Sequence, residues 1–166
     1  MADDTTTDAD VPAVPAVPAV PAPKSRMMEP PIGADSEEFW EATRSGTLLV
    51  QWCLACDKGI FYPRAFCPGC GAGSASVGTG EGLEWRTASG KATVYSYTVE
   101  QNPKATGATF SDGQPYVVAL VELEEGVRML TNVIGCPPDQ VKIGMAVTVT
   151  WEPLSDGRQL PLFTPA

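Results

Sequence analysis

The chain has 166 residues, a net charge of −9 and no histidine. Its acidic balance disfavours nucleic acid and anionic membranes as partners, because both attract basic surfaces. No apolar run in the sequence approaches the roughly 20 residues that a membrane-spanning helix needs, and the acidic, threonine-rich start lacks the features of a secretory signal. We therefore expect a cytoplasmic protein that binds neither nucleic acid nor a membrane.

A proline-rich leader opens the chain. Residues 11–23 repeat Val-Pro-Ala in near-perfect triplets. Such a segment has too little side-chain volume for a core, and its prolines remove N–H groups that helices and sheets need. We predict that residues 1–34 are a disordered leader or linker, with a passive spacer favoured over a ligand for a proline-reading module. The position of this segment also suggests that the chain derives from a longer fusion protein.

A short helix is predicted over residues 35–46. Asp35 and Glu38 have the spacing of a capping box, and Gly46 is a typical closing residue. Phe39 and Trp40 are expected to anchor this helix in the core. Residues 47–52 and 59–63 have the composition of strands, so we predict that residues 35–82 form the helix and a zinc ribbon.

Four cysteines form the most specific pattern in the chain. They are arranged as Cys53-x-x-Cys56 and Cys67-x-x-Cys70, with ten residues between the pairs. Two such turns bring four thiolates to one point, which predicts a structural Zn²⁺ site. Iron in the same cage, two disulfides or a redox dithiol are the weaker alternatives, because sulfur ligands alone do not choose the metal.

A closed site with four sulfur ligands leaves no position at which the metal can activate water. The absence of histidine removes the commonest general base and the usual nucleophile pairs as well. We therefore assign no catalytic residue. Cys136, which is far from the other cysteines, is expected to be a buried, unreactive thiol at the end of a strand.

The rest of the sequence predicts a small β-barrel. Strands are indicated at residues 83–87, 92–100, 116–124, 127–134 and 146–152, and glycine-containing turns separate them. Five strands with one long loop favour a closed OB-fold barrel over a larger sandwich, so residues 83–166 are predicted to be an OB-fold. The loop at residues 101–114 is either a binding element or a plain hairpin tip.

The segments that carry a family resemblance occur in one order along the chain. They are Phe39-Trp40, the first cysteine pair, Tyr62-Pro63-Arg64, Cys67-Pro68-Gly69-Cys70-Gly71, residues 89–99, residues 115–120 and the turn Ile143-Gly144-Met145. From about residue 35 to the C-terminus, the chain resembles the DUF35 family of acyl-CoA-associated proteins. The resemblance implies a mainly β protein with an N-terminal helix, a rubredoxin-like zinc ribbon and a five-stranded OB-fold barrel.

The resemblance also implies a partner. Members of the family associate with thiolase-like enzymes that act on CoA thioesters, and actinobacterial relatives serve steroid side-chain degradation with an aldolase of the lipid-transfer type. A heterotetramer with such a subunit is expected. The leader is similar to a tether that follows a MaoC-like hydratase domain in related fusions, but hydratase activity is not carried over to this chain.

Four residues between the cysteine pairs are the candidates for contacting acyl-CoA or the partner. CoA combines an anionic nucleotide end with a long apolar arm, so its site needs cations beside an apolar channel. Lys58 and Arg64 offer the cations, and Phe61 and Tyr62 offer apolar surface. The alternative interpretation is that the aromatic residues are ribbon core and the cations are solvated surface charges.

We thus predict a non-catalytic auxiliary subunit of a CoA-thioester carbon–carbon lyase or thiolase complex, which helps to form the acyl-CoA site of its partner. Two alternatives remain open. One is a stand-alone acyl-CoA binding module. The other is a single-stranded nucleic-acid-binding OB-fold, which the acidic charge disfavours.

Overall fold

A computed structural model describes residues 29–73, 82–101 and 113–166 of the chain. Most of the predicted leader, and most of the loop predicted at residues 101–114, lie outside these ranges. Within them, no helix is both long enough and apolar enough to cross a bilayer.

The described ranges contain one α-helix and eight strands. A 3₁₀ turn at Ala34–Ser36 leads into α1 (Glu37–Thr43), and the strands follow as β1 (Leu49–Cys53), β2 (Lys58–Ile60), β3 (Leu83–Thr87), β4 (Lys91–Glu100), β5 (Tyr116–Leu123), β6 (Arg128–Val133), β7 (Ala146–Pro153) and β8 (Gln159–Pro165). A second 3₁₀ turn, Pro138–Gln140, lies between β6 and β7.

Helix α1 is shorter at both ends than the predicted residues 35–46, and its start is also capped differently. At the start, the Ser36 side chain caps the 3₁₀ turn that leads into the helix. Its Oγ accepts a hydrogen bond from the Gly33 N–H at 3.0 Å and donates one to the Gly33 carbonyl. The capping pair predicted at Asp35 and Glu38 was therefore wrong. At the other end, Gly46 has a φ of +69°, in keeping with the predicted closing glycine.

The ribbon contributes a three-stranded antiparallel sheet in the order β2-β1-β3. Strand β3 pairs with β1 along its whole length, from Leu49 opposite Thr87 to Cys53 opposite Leu83. The sequence predicts residues 83–87 as the first barrel strand, and this prediction is wrong. Their apolar pattern predicts a strand but does not say which strand it pairs with, because the partner is distant in sequence.

The predicted five-stranded barrel is confirmed, with the strand order β4-β5-β6-β8-β7. Its fifth member is β8, which the sequence reading missed because Pro161 and Pro165 argue against a central strand. Strand β8 makes most of its pairs with β7 and only one, between Val133 and Phe163, with β6. The main core is filled by buried residues from the barrel, α1, β1 and the segment before β7, including Phe163, Val50, Val94, Val117, Val121, Val141 and Val147.

Helix α1 joins the ribbon to the barrel. Phe39 and Trp40 are buried, as predicted, and the Phe39 ring lies 5.8 Å from the ring of Phe61 beyond β2. On the barrel side, the Gln159 N–H donates to Thr43 Oγ1 at 3.3 Å. The ribbon sheet and the barrel therefore both pack against this helix.

Candidate metal centre and adjoining groove

The four cysteines of the two pairs converge on one point. Their sulfur atoms all lie within 4.8 Å of one another. The Sγ atoms of Cys53 and Cys70 are 3.5 Å apart, and those of Cys56 and Cys67 are 3.8 Å apart. A tetrahedral ion with Zn–S bonds of about 2.3 Å requires sulfur atoms about 3.8 Å apart, so the cluster fits Zn²⁺.

The fold places each sulfur through a turn. Cys53 ends β1, and the second pair occupies a tight loop in which the Gly71 N–H donates to the Cys67 carbonyl at 2.9 Å. The Gly69 N–H also points at the Cys67 sulfur, 3.4 Å away. Gly71 has a φ of +76°, which only glycine adopts without strain.

The cluster perturbs its own thiols. Backbone N–H groups of Cys70 and Gly69 lower the pKa of Cys67 to about 6. Hydrogen bonds shared with the side chains of Cys70, Cys53 and Cys67 raise the pKa of Cys56 to about 12. Burial is the main cause that raises the pKa of Cys53. A bound divalent cation would hold all four as thiolates, which is the form that binds metal.

An apolar groove of about 580 Å³ lies beside the ribbon, between α1 and the barrel. Below, the groove means the cavity formed by the following residues. It is lined by Pro30, Ser36, Phe39, Trp40, Phe61, Tyr62, Pro63, Tyr116, Val118, Met129, Leu130, Thr131, Asn132, Leu160, Pro161 and Leu162. None of these described residues is charged, although the whole chain carries nine net negative charges.

Gln51 fixes the ribbon wall of the groove. Its side chain is buried, its Oε1 accepts from the Arg64 N–H at 2.7 Å, and its Nε2 donates to the Arg64 carbonyl at 3.1 Å. Residues 61–66 lie outside the helices and strands. The two bonds to Gln51 therefore take the place of the backbone pairing that would hold a strand. Gln51 thereby holds the segment that carries Tyr62 on one side and leads to Cys67 on the other.

The structure separates the four predicted contact residues. Phe61 and the half-exposed Tyr62 line the groove together. Arg64 lines instead a smaller cleft of about 350 Å³, which Phe61 and Arg128 also line. Lys58 is exposed on β2 and lines neither cavity.

Several groove residues were missed from the sequence. Tyr116 and Val118 alternate with buried residues along β5, which was a readable sign of an outward apolar face. Leu130 is 54% exposed on β6. Leu160 and Pro161 belong to β8, and without that strand their position could not be predicted.

Cys136 lies after the end of β6 and packs against the main core while remaining half-buried. Burial, followed by the negative charge of Asp139, raises the pKa of its thiol. A raised pKa disfavours the reactive thiolate, in agreement with the expected unreactive role.

Two family models match the chain. One, described as the rubredoxin-like zinc ribbon domain of ChsH2, covers residues 40–75. The other, described as the C-terminal OB-fold domain of ChsH2, covers residues 85–152. The first description agrees with the four-cysteine cluster and names zinc as its metal.

Two longer curated relatives are named as hydratase subunits. A probable enoyl-CoA hydratase alpha subunit of Thermomonospora curvata is 37% identical over 146 residues, which are 87% of this chain and 41% of the relative. The 3-oxo-4,17-pregnadiene-20-carboxyl-CoA hydratase alpha subunit of Mycobacterium tuberculosis is 34% identical over 125 residues, 75% of this chain and 36% of that protein. The chain thus spans less than half the length of these two relatives.

Two further matches extend over most of the compared protein. A DUF35 domain-containing scaffold protein of Methanothermobacter thermautotrophicus is 38% identical over 99 residues, 60% of this chain and 67% of that protein. A solved chain titled "Ltp2-ChsH2(DUF35) aldolase" is 36% identical, with a TM-score of 0.68, and the match covers 82% of this chain and 98% of that one. The chain belongs to the DUF35 family, whose zinc ribbon and OB-fold it carries.

Proposed function

We propose that this chain is a non-catalytic auxiliary subunit that binds a thiolase-like enzyme acting on CoA thioesters. The observation that carries the proposal is the match to the solved Ltp2–ChsH2 aldolase, which extends over 98% of the matched chain at 36% identity. The chain's own chemistry agrees with this role. Its cysteine cluster is of the closed, structural type, and it contains no histidine to act as a general base.

The groove is the surface that serves this role best. Phe61 and Tyr62 form its ribbon wall, while Tyr116, Val118 and Leu130 form its barrel wall. An exposed apolar surface of this kind is typical of interaction sites. Docking there would order the partner's acyl-CoA channel, so that binding energy from this subunit positions a bulky acyl group in the partner. The nucleophile, base and oxyanion donors belong to the partner.

Lys58 and Arg64 are proposed to act at the rim rather than in the groove. Both are exposed cations on an acidic protein, and Arg64 lines the same cleft as Arg128. Such cations suit the phosphates of CoA or an acidic patch of the partner. The acyl group is proposed to be steroid-like, which is supported by the printed name of the Mycobacterium tuberculosis relative.

Reconstitution with the Ltp2 partner of the solved aldolase tests this function. We expect the two proteins to elute together in size-exclusion chromatography, and the enzyme to gain thermal stability and turnover of its CoA thioester. Tyr62→Ala should weaken the complex by about tenfold or more, because half-exposed aromatic residues often anchor interfaces. Tyr97→Ala, at an exposed tyrosine that does not line the groove, is the matched control. An enzyme equally stable and active without this chain would end the proposal.

A stand-alone acyl-CoA binding module is the second candidate. It is favoured by the volume of the groove, about 580 Å³, which lies within the range of about 300–1,000 Å³ that is typical of ligand sites. Calorimetry with acyl-CoA esters on the isolated chain separates the two candidates. Binding by the isolated chain without any association with the enzyme would support this second function.

A further inference from the structure

Strand β6 has one fully paired edge and one nearly open edge. It pairs with β5 at six positions, from Arg128 to Val133, but with β8 at Val133 alone. The seam between β6 and β8 therefore closes at one end and opens toward the groove at the other. Its open part is lined by Met129, Leu130 and Thr131 on β6 and by Leu160 and Pro161 on β8.

The backbone of Leu130 faces this seam. In an antiparallel pair, alternate residues direct their N–H and C=O groups to the same partner strand. The Leu123 N–H donates to the Val127 carbonyl at 2.9 Å, which assigns residues 127, 129, 131 and 133 to the β5 side. The Ile134 N–H donates to the Phe163 carbonyl at 2.8 Å, which assigns the even-numbered residues to the β8 side. Within the described residues, no strand pairs with Leu130 on that side.

Strand β8 cannot close the seam at this level. Pro161 faces β6 and has no N–H group to donate. Its carbonyl already accepts one hydrogen bond, from Thr131 Oγ1 at 3.0 Å. The barrel thus keeps an unpaired stretch of strand edge inside an uncharged groove, and such an edge is a template for another extended chain.

We propose that an extended, uncharged segment of the partner enzyme adds to β6 as a strand at Leu130 and fills the groove with its alternate side chains. This inference rests on the proposed function for the identity of the partner. The absence of charge among the lining residues favours apolar side chains over the phosphates of CoA. The open backbone groups favour a polypeptide over an acyl chain, which has no N–H or C=O groups for a ladder.

The size of the seam limits the added strand. Two residue steps from Arg128 to Leu130 correspond to about 7 Å at about 3.3 Å per residue, which suits two or three residues of the partner. The chain's own leader is a poorer occupant, because residues 11–23 have a proline at nearly every third position, and those residues lack N–H groups.

Amide hydrogen exchange in the complex with Ltp2 tests the proposal residue by residue. Exchange proceeds in the complex, is quenched, and is read on the released chain by NMR. We expect the Leu130 amide to exchange at least about tenfold more slowly in the complex than in the free chain, whereas the Thr131 amide, already paired with β5, is slow in both. This alternation distinguishes an added strand from side-chain contact.

Two variants separate the contribution of the Leu130 backbone N–H from that of its side chain. Leu130→Pro removes the N–H on the open edge without breaking a bond to β5, and it should weaken the complex by about tenfold or more. Leu130→Val keeps the N–H and should change the affinity less than threefold. If Leu130→Pro does not fold, the exchange pattern of the unmodified chain still decides.

Each contrary outcome has its own meaning. A complex that forms while Leu130 stays unprotected overturns the added strand and leaves the proposed function standing. The absence of any complex in size-exclusion chromatography overturns both. Protection of Leu130 in the free chain also overturns the proposal, and sedimentation of the free chain then shows whether a second copy or the chain itself covers the edge.

Discussion

The ribbon and the barrel are stabilised in different ways. The barrel shares a large apolar core with α1 and β1, in which Phe163, Val121 and Val50 are completely buried. Among the residues that the structure describes, the ribbon's own cluster contains four buried residues, and two of them, Cys53 and Cys67, are metal ligands by position. A core of that size cannot balance the conformational entropy of its chain, so the ribbon depends on the ion.

This difference gives the groove two unlike walls. The barrel wall, with Tyr116 and Leu130, belongs to strands that the apolar core holds in place. The ribbon wall, with Tyr62 and Pro63, belongs to a segment held by Gln51 and by the following ligand Cys67. Metal binding is therefore coupled to the shape of a surface that contains none of the ligands.

The largest expected effect breaks the ribbon alone. Cys67→Ser should abolish stoichiometric Zn²⁺ binding and disorder the ribbon, because the binding free energy of such sites, about 10 kcal/mol or more, is also folding free energy. Metal analysis and circular dichroism check this. Cys136→Ser, which removes the cysteine outside the cluster, should keep one Zn²⁺ per chain. Full metal retention by Cys67→Ser would contradict the assignment.

A second substitution breaks the barrel. Phe163→Ala should lower the free energy of unfolding by about 3–5 kcal/mol, because it leaves a cavity around a fully buried ring. Urea titration measures the loss. Leu130→Ala, on the exposed face, should change stability by about 0.5 kcal/mol or less. Equal losses in the two variants would mean that Phe163 is not a core residue.

A third substitution tests the connection between the halves. Gln51→Met removes both bonds to Arg64 and should cost about 1–3 kcal/mol, since it leaves two part-buried backbone groups of Arg64 unpaired. We expect metal binding to persist while amides of residues 61–64 exchange faster. Gln140→Met, at an exposed glutamine, serves as the control and should leave this exchange unchanged.

The smallest expected effect is a pH dependence at the turn between β7 and β8. The Arg158 N–H, and then its guanidinium, hold the pKa of Asp156 below its ordinary value. A carboxyl group with a lowered folded-state pKa stabilises the fold above its unfolded pKa, near 4, and loses that contribution as pH falls through the folded value.

Thermal melts of Asp156→Asn check the sign of this effect. The variant should melt slightly below the unmodified chain at pH 7, and the gap should close on acidification toward pH 2. Asp139→Asn, at an exposed aspartate, is the comparison at the same pH values. A gap that widens as the pH falls would show that the sign is wrong.

The metal site could be predicted from the sequence because the two ligands of each pair are close together in the chain. Each cysteine pair lies within one turn, and the spacing alone brings its sulfurs together. The helix anchors Phe39 and Trp40 were readable for the same reason, since a short helix has few ways to bury two adjacent aromatic residues. The predicted count of five barrel strands was right only because two errors offset each other, since β3 was counted and β8 was missed.

The groove could not be predicted from the sequence, because it depends on the pairing of strands that are far apart in the chain. Strand β3 joins β1 across a gap of some thirty residues, and Pro161 concealed β8 altogether. The bonds between Gln51 and Arg64 leave no pattern in the sequence, since any buried glutamine can serve. Lys58 and Tyr62 were grouped because they are close in the chain, yet only Tyr62 lines the groove.

Hydrogen exchange with and without a zinc chelator most directly tests the claim that the metal braces the ribbon wall while the barrel stands on its own core. We predict that the ribbon strands and residues 61–64 lose protection when Zn²⁺ is removed and regain it when Zn²⁺ is restored, while β4–β8 remain protected throughout. Loss of protection in all strands together, or persistent protection of the ribbon after the metal has left, would contradict this account.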